Sequence, residues 1–301
     1  MLLYIHLDKG RQKYIFMKKV GYFFLGIVPL GLSFLLQFAA SFGVALLLKL
    51  FMHIPSLGPK VYDDTEFIDI FYHETSGGLF GICFALLCAL IFGIWYYHFC
   101  GGNFLPKVKS TFNFPSVLGT VLMAPGIQLL SSFIMLAITV LFPSQMEEYN
   151  RLLEQAGLSN EITIFPLIYA VFLAPISEEL IFRGVSLTYF RRAVPFWLAN
   201  LLQAILFGVF HGNVVQGIYT AVFALLLGFV CKYSGSIYYS ILLHFAFNLW
   251  GTIVSTFLRD ASTAVMLLAE GFMFLSIGLS IFLFFYGQNK LNATAVPSNN
   301  L

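Results

Sequence analysis

The sequence predicts an all-α protein that crosses a membrane several times. Of its 301 residues, 59% are apolar and only 10% are charged, and the mean hydropathy is +0.86. Soluble proteins average about 45–50% apolar and about 25% charged residues, so this chain lacks the charged surface of a soluble domain. The composition therefore argues against a cytosolic enzyme, a nucleic-acid-binding protein and a disordered protein.

Eight apolar stretches are long enough, or nearly long enough, to cross the hydrocarbon core, which takes about 20 residues per helix. They lie at 21–48, 78–99, 116–142, 163–190, 196–212, 214–231, 235–257 and 264–286. The fifth and sixth are the shortest, and Gly212–Asn213 predicts a tight turn between them. We therefore expect about eight transmembrane helices.

The charges between these stretches predict the orientation of the chain. Basic residues lie mainly before the first stretch and after the second, fourth, sixth and eighth, whereas acidic residues lie mainly in the other connections. The positive-inside rule then places both termini in the cytoplasm, which agrees with an even number of spans. This topology suits a bacterial plasma membrane.

The domain organisation follows from the same pattern. Residues 1–20 form a basic cytoplasmic segment, 21–286 the membrane domain and 287–301 a cytoplasmic tail. Residues 144–158 predict a short surface helix. The four cysteines show no spacing typical of a disulfide framework or a zinc knuckle.

Charged and polar residues occur inside the predicted spans of the second half. Because charge inside a membrane is costly, each such residue indicates a functional position. The fourth stretch contains Glu178, Glu179 and Arg183, the fifth ends at His211, and the seventh contains a histidine and an asparagine four residues apart. Glu179 and Arg183 have the i,i+4 spacing of a helical ion pair. Glu178 is rotated about 100° from Glu179 around a helix axis and should point in another direction.

The seventh stretch contributes His244 and Asn248, which also share one helix face. At about 1.5 Å per residue, Glu178 and His244 lie about 20 Å and about 18 Å in from the cytoplasmic charges. His211 lies about 28 Å in by the same count, which is too deep for an upright helix. A tilted fifth helix, or one that starts before the hydrocarbon, would remove this mismatch.

These residue types predict hydrolysis by one of two schemes. In the first, Glu178 is a general base for water, His211 holds that water or a metal, and His244 and Asn248 donate hydrogen bonds to the oxyanion. In the second, Glu178, His211 and His244 bind Zn²⁺, with water as the fourth ligand. The sequence leaves both schemes open, together with a purely structural ion network.

Three motifs carry a family resemblance. Glu178-Glu179-x-x-x-Arg183, Phe207-x-x-x-His211 and His244-x-x-x-Asn248 resemble the motifs of the CPBP family. This family comprises the CAAX prenyl endopeptidases and bacteriocin-processing or bacteriocin-immunity (Abi) proteins, and the resemblance covers about 163–257.

The resemblance implies an eight-helix intramembrane endopeptidase, usually classed as a metalloprotease, that acts on a peptide or a lipidated protein in the bilayer. It implies that Glu178, His211, His244 and Asn248 line the catalytic pocket. Glu179 and Arg183 would support them, whereas Phe207 would act through packing alone. The alternative is a non-enzymatic membrane protein such as a bacteriocin-immunity protein or a transporter.

Overall fold

The computed structural model describes residues 2–52, 74–102, 111–155, 164–259 and 261–295, and all regular structure in these ranges is helical. The helices, numbered in chain order, are α1 (Leu2–Met52), α2 (Glu74–Phe99), α3 (Phe114–Leu141), α4 (Pro143–Gln155), α5 (Ile164–Ala193), α6 (Phe196–Phe210), α7 (Val214–Ser234), α8 (237–259) and α9 (Thr263–Ala295). The all-α prediction is confirmed for this part of the chain.

Seven of the described helices, all except α4 and α6, are long and apolar enough to cross a membrane. The protein is therefore an integral, multi-pass membrane protein. The predicted fifth span is corrected, because α6 has only 15 residues and is about 22 Å long, less than the roughly 30 Å of a hydrocarbon core. Pro195 precedes its first turn, and Gly212 leaves the helix with a left-handed φ of 74°.

The short helix also removes the mismatch in depth. Because α6 starts at Phe196, His211 lies about 22 Å along the helix rather than about 28 Å. That value is close to the depths counted for Glu178 and His244. In the described part of the chain, the eight predicted stretches are thus seven full spans and one shorter apolar helix, which ends next to His211.

The terminal segments are continuous with membrane helices. Helix α1 begins at Leu2 and runs through the span Tyr14–Leu50, so the predicted basic segment 1–20 joins the first span without a break. Helix α9 continues to Ala295 and includes the first part of the predicted tail. The predicted surface helix at 144–158 is α4, and all four cysteines are free thiols. The orientation across the membrane stays a prediction.

Helices α3 and α9 pack closely because small residues lie where they cross. A Cβ atom on Gly119 would lie 2.5 Å from the backbone nitrogen of Phe284, and one on Gly126 would lie 2.7 Å from Ile277. At one end of this crossing, Gln288 donates a hydrogen bond to the Ser116 hydroxyl, which in turn donates to the Phe284 carbonyl. This pair of helices flanks the core that contains the motifs.

Helix α5 lies at the centre of that core. Ile181, Phe182 and Val185 are completely buried and pack with Phe84 and Phe92 of α2. Helices α6 and α7 form a close hairpin beside them, where the backbones approach at Gly208 and Gly217. Helix α8 packs against both α5 and α7. The three motifs therefore converge on one helix.

Candidate active site

The glutamate pair lies in a short α-helical stretch between two π-helical segments of α5. The π-helical segments are Tyr169–Leu173 and Leu180–Ser186, and the stretch Ala174–Glu179 separates them. A π-helical turn inserts an extra residue, shifts the direction of the side chains that follow, and occurs often at functional sites. Glu178 and Glu179 thus occupy a locally altered part of the helix.

Glu179 and Arg183 form a completely enclosed ion pair. Their Oε1 and Nη1 atoms are 3.0 Å apart, and both side chains are buried. The second oxygen of Glu179 and the guanidinium nitrogens have no well-aligned hydrogen bond to another described residue. The sequence-predicted pair is present, and charge rather than a good hydrogen bond holds it together.

His244 lies between the two adjacent carboxylates. Its Nδ1 is 2.9 Å from Oε1 of Glu179, and its Nε2 is 3.7 Å from Oε2 of Glu178. Since a carboxylate only accepts hydrogen bonds, Nδ1 carries a proton toward Glu179. The two glutamates point in different directions, as the helix geometry predicts, and α8 places one imidazole between them.

His211 ends α6 as its C-terminal cap. Its Nδ1 is 2.8 Å from the carbonyl oxygen of Phe207, one turn earlier. Because that oxygen can only accept, Nδ1 carries the proton and the neutral ring keeps a lone pair on Nε2. The next helix is held in place by Asn213, whose side-chain oxygen accepts from the amide of Gln216. The Phe207 carbonyl therefore fixes the tautomer of His211, and the Asn213 cap starts the helix that follows.

Phe207 is the common packing surface of the charged residues. Its ring centroid lies 4.6 Å from the Arg183 guanidinium, 4.8 Å from the His211 ring and 5.9 Å from the His244 ring. The side chain is almost completely buried. This aromatic ring separates the ion pair from His211 and stabilises the guanidinium through a cation–π contact.

Asn248 connects α8 to α5. Its Nδ2 donates a hydrogen bond of 2.8 Å to the carbonyl oxygen of Ala170, in the first π-helical segment. The amide nitrogen has two hydrogens, so one remains for another acceptor.

The motif residues meet at a cavity of about 280 Å³ inside the helices. Glu178, His211, His244, Phe207 and Asn248 line it, whereas Glu179 and Arg183 lie behind its wall. Sequence reasoning missed the other polar residues of the lining, which are Gln37, Tyr169, Gln216, Tyr219 and Thr220. The two glutamines had a usable signal, because uncharged amides inside apolar spans seek partners on other helices.

The predicted zinc ligands do not form a metal site in this arrangement. Among the described residues, no three His, Cys, Asp or Glu side chains are placed to hold a metal ion. Nδ1 of His244 faces Glu179 and Nδ1 of His211 faces a carbonyl, which leaves Nε2 of each ring as the nitrogen that could bind a metal. As they are placed here, however, Glu178, His211 and His244 do not form the tetrahedral site that the second scheme requires.

The comparison with protein families covers the part of the chain that carries the motifs. Residues 160–250 match the family model described as Type II CAAX prenyl endopeptidase Rce1-like. The matched segment contains all three motifs, and it confirms the resemblance seen in the sequence over that part of the chain. The searches of curated proteins and of solved structures found no match.

Proposed function

We propose that the protein, whose residues 160–250 match the Rce1-like type II CAAX prenyl endopeptidase model, hydrolyses a peptide bond of a prenylated substrate with a glutamate-activated water. The observation that carries the proposal is the position of Glu178. Its carboxylate faces a cavity inside apolar helices, next to the imidazole of His244. A carboxylate kept from bulk water in this way is suited to general base catalysis.

The reaction begins when Glu178 removes a proton from a water molecule in the cavity. The Nε2 lone pair of His211 accepts the second hydrogen of that water and so orients its oxygen toward the scissile carbonyl carbon. The new carbon–oxygen bond forms as the carbonyl π electrons move onto oxygen. Glu178 then passes its proton to the leaving amide nitrogen as the carbon–nitrogen bond breaks.

The developing oxyanion needs hydrogen-bond donors. Asn248 offers its second N–H, since the first is bonded to Ala170. In its doubly protonated form His244 donates through Nε2, and Glu179 stabilises that form through Nδ1. Such donors lower the barrier only where the oxyanion forms, and one of them typically contributes about 10²–10³-fold in rate. No step of this reaction mechanism needs a metal ion.

The test is peptide cleavage by the full chain in liposomes. A farnesylated peptide that ends in a CAAX sequence, and the same peptide without the lipid, are incubated with wild type and with Glu178→Gln, and the products are identified by mass spectrometry. We expect cleavage of the lipidated peptide by wild type and a rate at least about 100-fold lower in the variant, with an unchanged melting temperature. Equal cleavage by both proteins would contradict the proposal.

The same variant separates this proposal from the alternative of an immunity protein or a transporter. Glutamine keeps the size and hydrogen-bonding shape of Glu178 but cannot remove a proton from water. A binding protein would therefore tolerate the change, whereas a protease would lose its activity. The lipid-free peptide tests the finer part of the proposal, the prenylated substrate.

A further inference from the structure

A carbonyl oxygen in the wall of the cavity has no donor in its own helix. In the first π-helical segment, the N–H of Ala174 bonds to the carbonyl of Tyr169, five residues earlier. In an α-helix the same N–H would bond to Ala170 instead. The next residue is Pro175, which has no N–H to offer. The π-helical register and the proline together therefore leave the Ala170 carbonyl without a helical donor.

Asn248 supplies the missing donor from another helix. Its Nδ2 lies 2.8 Å from the Ala170 oxygen, and both residues line the cavity. A buried carbonyl without a hydrogen-bond donor destabilises the fold by about 1–3 kcal/mol, and the bond from Asn248 removes this penalty.

This hydrogen bond decides how the amide of Asn248 is oriented. A carbonyl oxygen cannot donate, so it selects the nitrogen end of the amide and turns the oxygen end away. It also ties the segment just before Glu178 to α8, the helix that carries His244. One contact therefore sets both an oxyanion donor and the spacing of the general base from its imidazole.

We propose that Pro175 is a positioning residue, which acts through the free Ala170 carbonyl to orient Asn248 for the reaction. The inference rests on the proposed function. It assigns Pro175 a role in addition to bending the helix, and it leads to one specific expectation. Pro175 should matter for activity only while Asn248 is present.

The experiment is a double-mutant cycle on the full chain in liposomes, with Pro175→Ala, Asn248→Leu and the double variant. Leucine has nearly the shape of asparagine but cannot donate to the carbonyl. For each protein kcat and KM are measured on the farnesylated peptide, and the melting temperature is measured in detergent. Pro125→Ala, which changes a proline inside α3 that does not line the cavity, is the matched control.

We expect Pro175→Ala to lower kcat about tenfold with KM unchanged, because the new N–H competes with Asn248 for the carbonyl. The melting temperature should not fall, since the helix gains a hydrogen bond. In the Asn248→Leu background the same substitution should change kcat by less than about twofold. It should also raise the melting temperature there, because the orphaned carbonyl regains a donor.

Other outcomes overturn the inference. Equal losses of kcat from Pro175→Ala in both backgrounds would show that the proline acts independently of Asn248. A drop in melting temperature that parallels the loss of kcat, or an equal loss in Pro125→Ala, would show a general effect on helix shape. If wild type does not cleave the peptide at all, the proposed function fails instead, and the melting temperatures alone still test the hydrogen bond.

Discussion

The crossing of α3 and α9 and the motif-bearing core both bury polar side chains, but they satisfy them differently. Between α3 and α9 the polar residues are neutral, and Asn113, Ser116 and Gln288 bond to one another or to backbone carbonyls. In the core they are charged, and the guanidinium of Arg183 has no well-aligned hydrogen bond to another described residue. Buried neutral side chains that are hydrogen-bonded indicate a role in helix packing. Buried charged side chains beside a cavity indicate a catalytic role.

The two regions also differ in backbone geometry. Helices α3 and α9 approach through glycines, so their backbones lie close together at Gly119 and Gly126. Helix α5 instead contains two π-helical segments around its glutamates, and the cavity opens beside them. Substitutions in one region should therefore change stability, and substitutions in the other should change rate.

The largest effect is expected at the end of α6, where His211 should govern the cleavage rate. Gln203 of the same helix should govern stability instead. His211→Ala should lower the cleavage rate at least about 100-fold, because it removes the group that orients water. The melting temperature should change little, since the one hydrogen bond that the ring makes is within its own helix. Cleavage kinetics and thermal unfolding of the same preparation measure both quantities.

Gln203 provides the contrast to His211. Its Nε2 donates to the carbonyls of Asn200 and Ala224 and to the Asn200 side chain, and it does not line the cavity. Gln203→Leu should lower the melting temperature while the rate per folded molecule stays within about twofold of wild type. A loss of cleavage rate without a loss of stability in this variant would contradict the division into residues that affect rate and residues that affect stability.

The adjacent glutamates Glu178 and Glu179 should also differ from each other, one affecting rate and the other affecting stability. Glu179→Ala should destabilise the fold by about 3–5 kcal/mol, because it leaves Arg183 as a buried, uncompensated charge. Glu178→Gln should leave stability near that of wild type. Thermal or denaturant unfolding in micelles measures the difference between the two neighbours.

An exposed ion pair is the control for Glu179. Glu148 and Arg151 of α4 pair at the surface, so Glu148→Ala should produce no measurable shift in melting temperature. If Glu179→Ala behaved like Glu148→Ala, Arg183 would not depend on its partner. The structural reading of the ion pair would then be wrong.

The sequence could predict the helices, and it singled out five of the residues that meet at the cavity, because both depend on local patterns. Long apolar stretches specify spans, and the i,i+4 spacing of Glu179 and Arg183 specifies their ion pair. It also indicated that the fifth stretch is one of the two shortest, and the structure shortens it further, to Phe196–Phe210. The length of that helix depends on where Pro195 and Gly212 interrupt the backbone.

The contacts between helices were beyond local patterns as well. Nothing in the spacing of Glu178 and Glu179 shows that one imidazole would lie between them, because His244 comes from a different helix. The π-helical turns were equally hidden, because Pro175 alone predicts a lost hydrogen bond and not where the freed carbonyl finds its donor. The role of Asn248 therefore emerged only with the packing of α8 on α5.

A smaller effect is expected at the crossing of α3 and α9. Gly119→Ala should lower the stability by about 1–3 kcal/mol, since its Cβ would lie 2.5 Å from the backbone of Phe284 and would push the helices apart. Gly278→Ala is the matched control, because the space around that exposed helical glycine is open. It should leave stability unchanged or raise it slightly through helix propensity. The cleavage rate per folded molecule should be the same in both variants.

The smallest effect is expected from removing metal, which should leave both regions unchanged. The site carries its own base in Glu178, and no three metal-ligand side chains in the described part of the chain are placed to hold an ion. We therefore expect substoichiometric zinc by elemental analysis, and cleavage that survives a chelator. Stoichiometric zinc that disappears in His211→Ala, with a chelator-sensitive rate, would contradict this expectation. The ion would then be bound through Nε2 of His211 and His244, because Nδ1 of each ring already faces Glu179 or the Phe207 carbonyl.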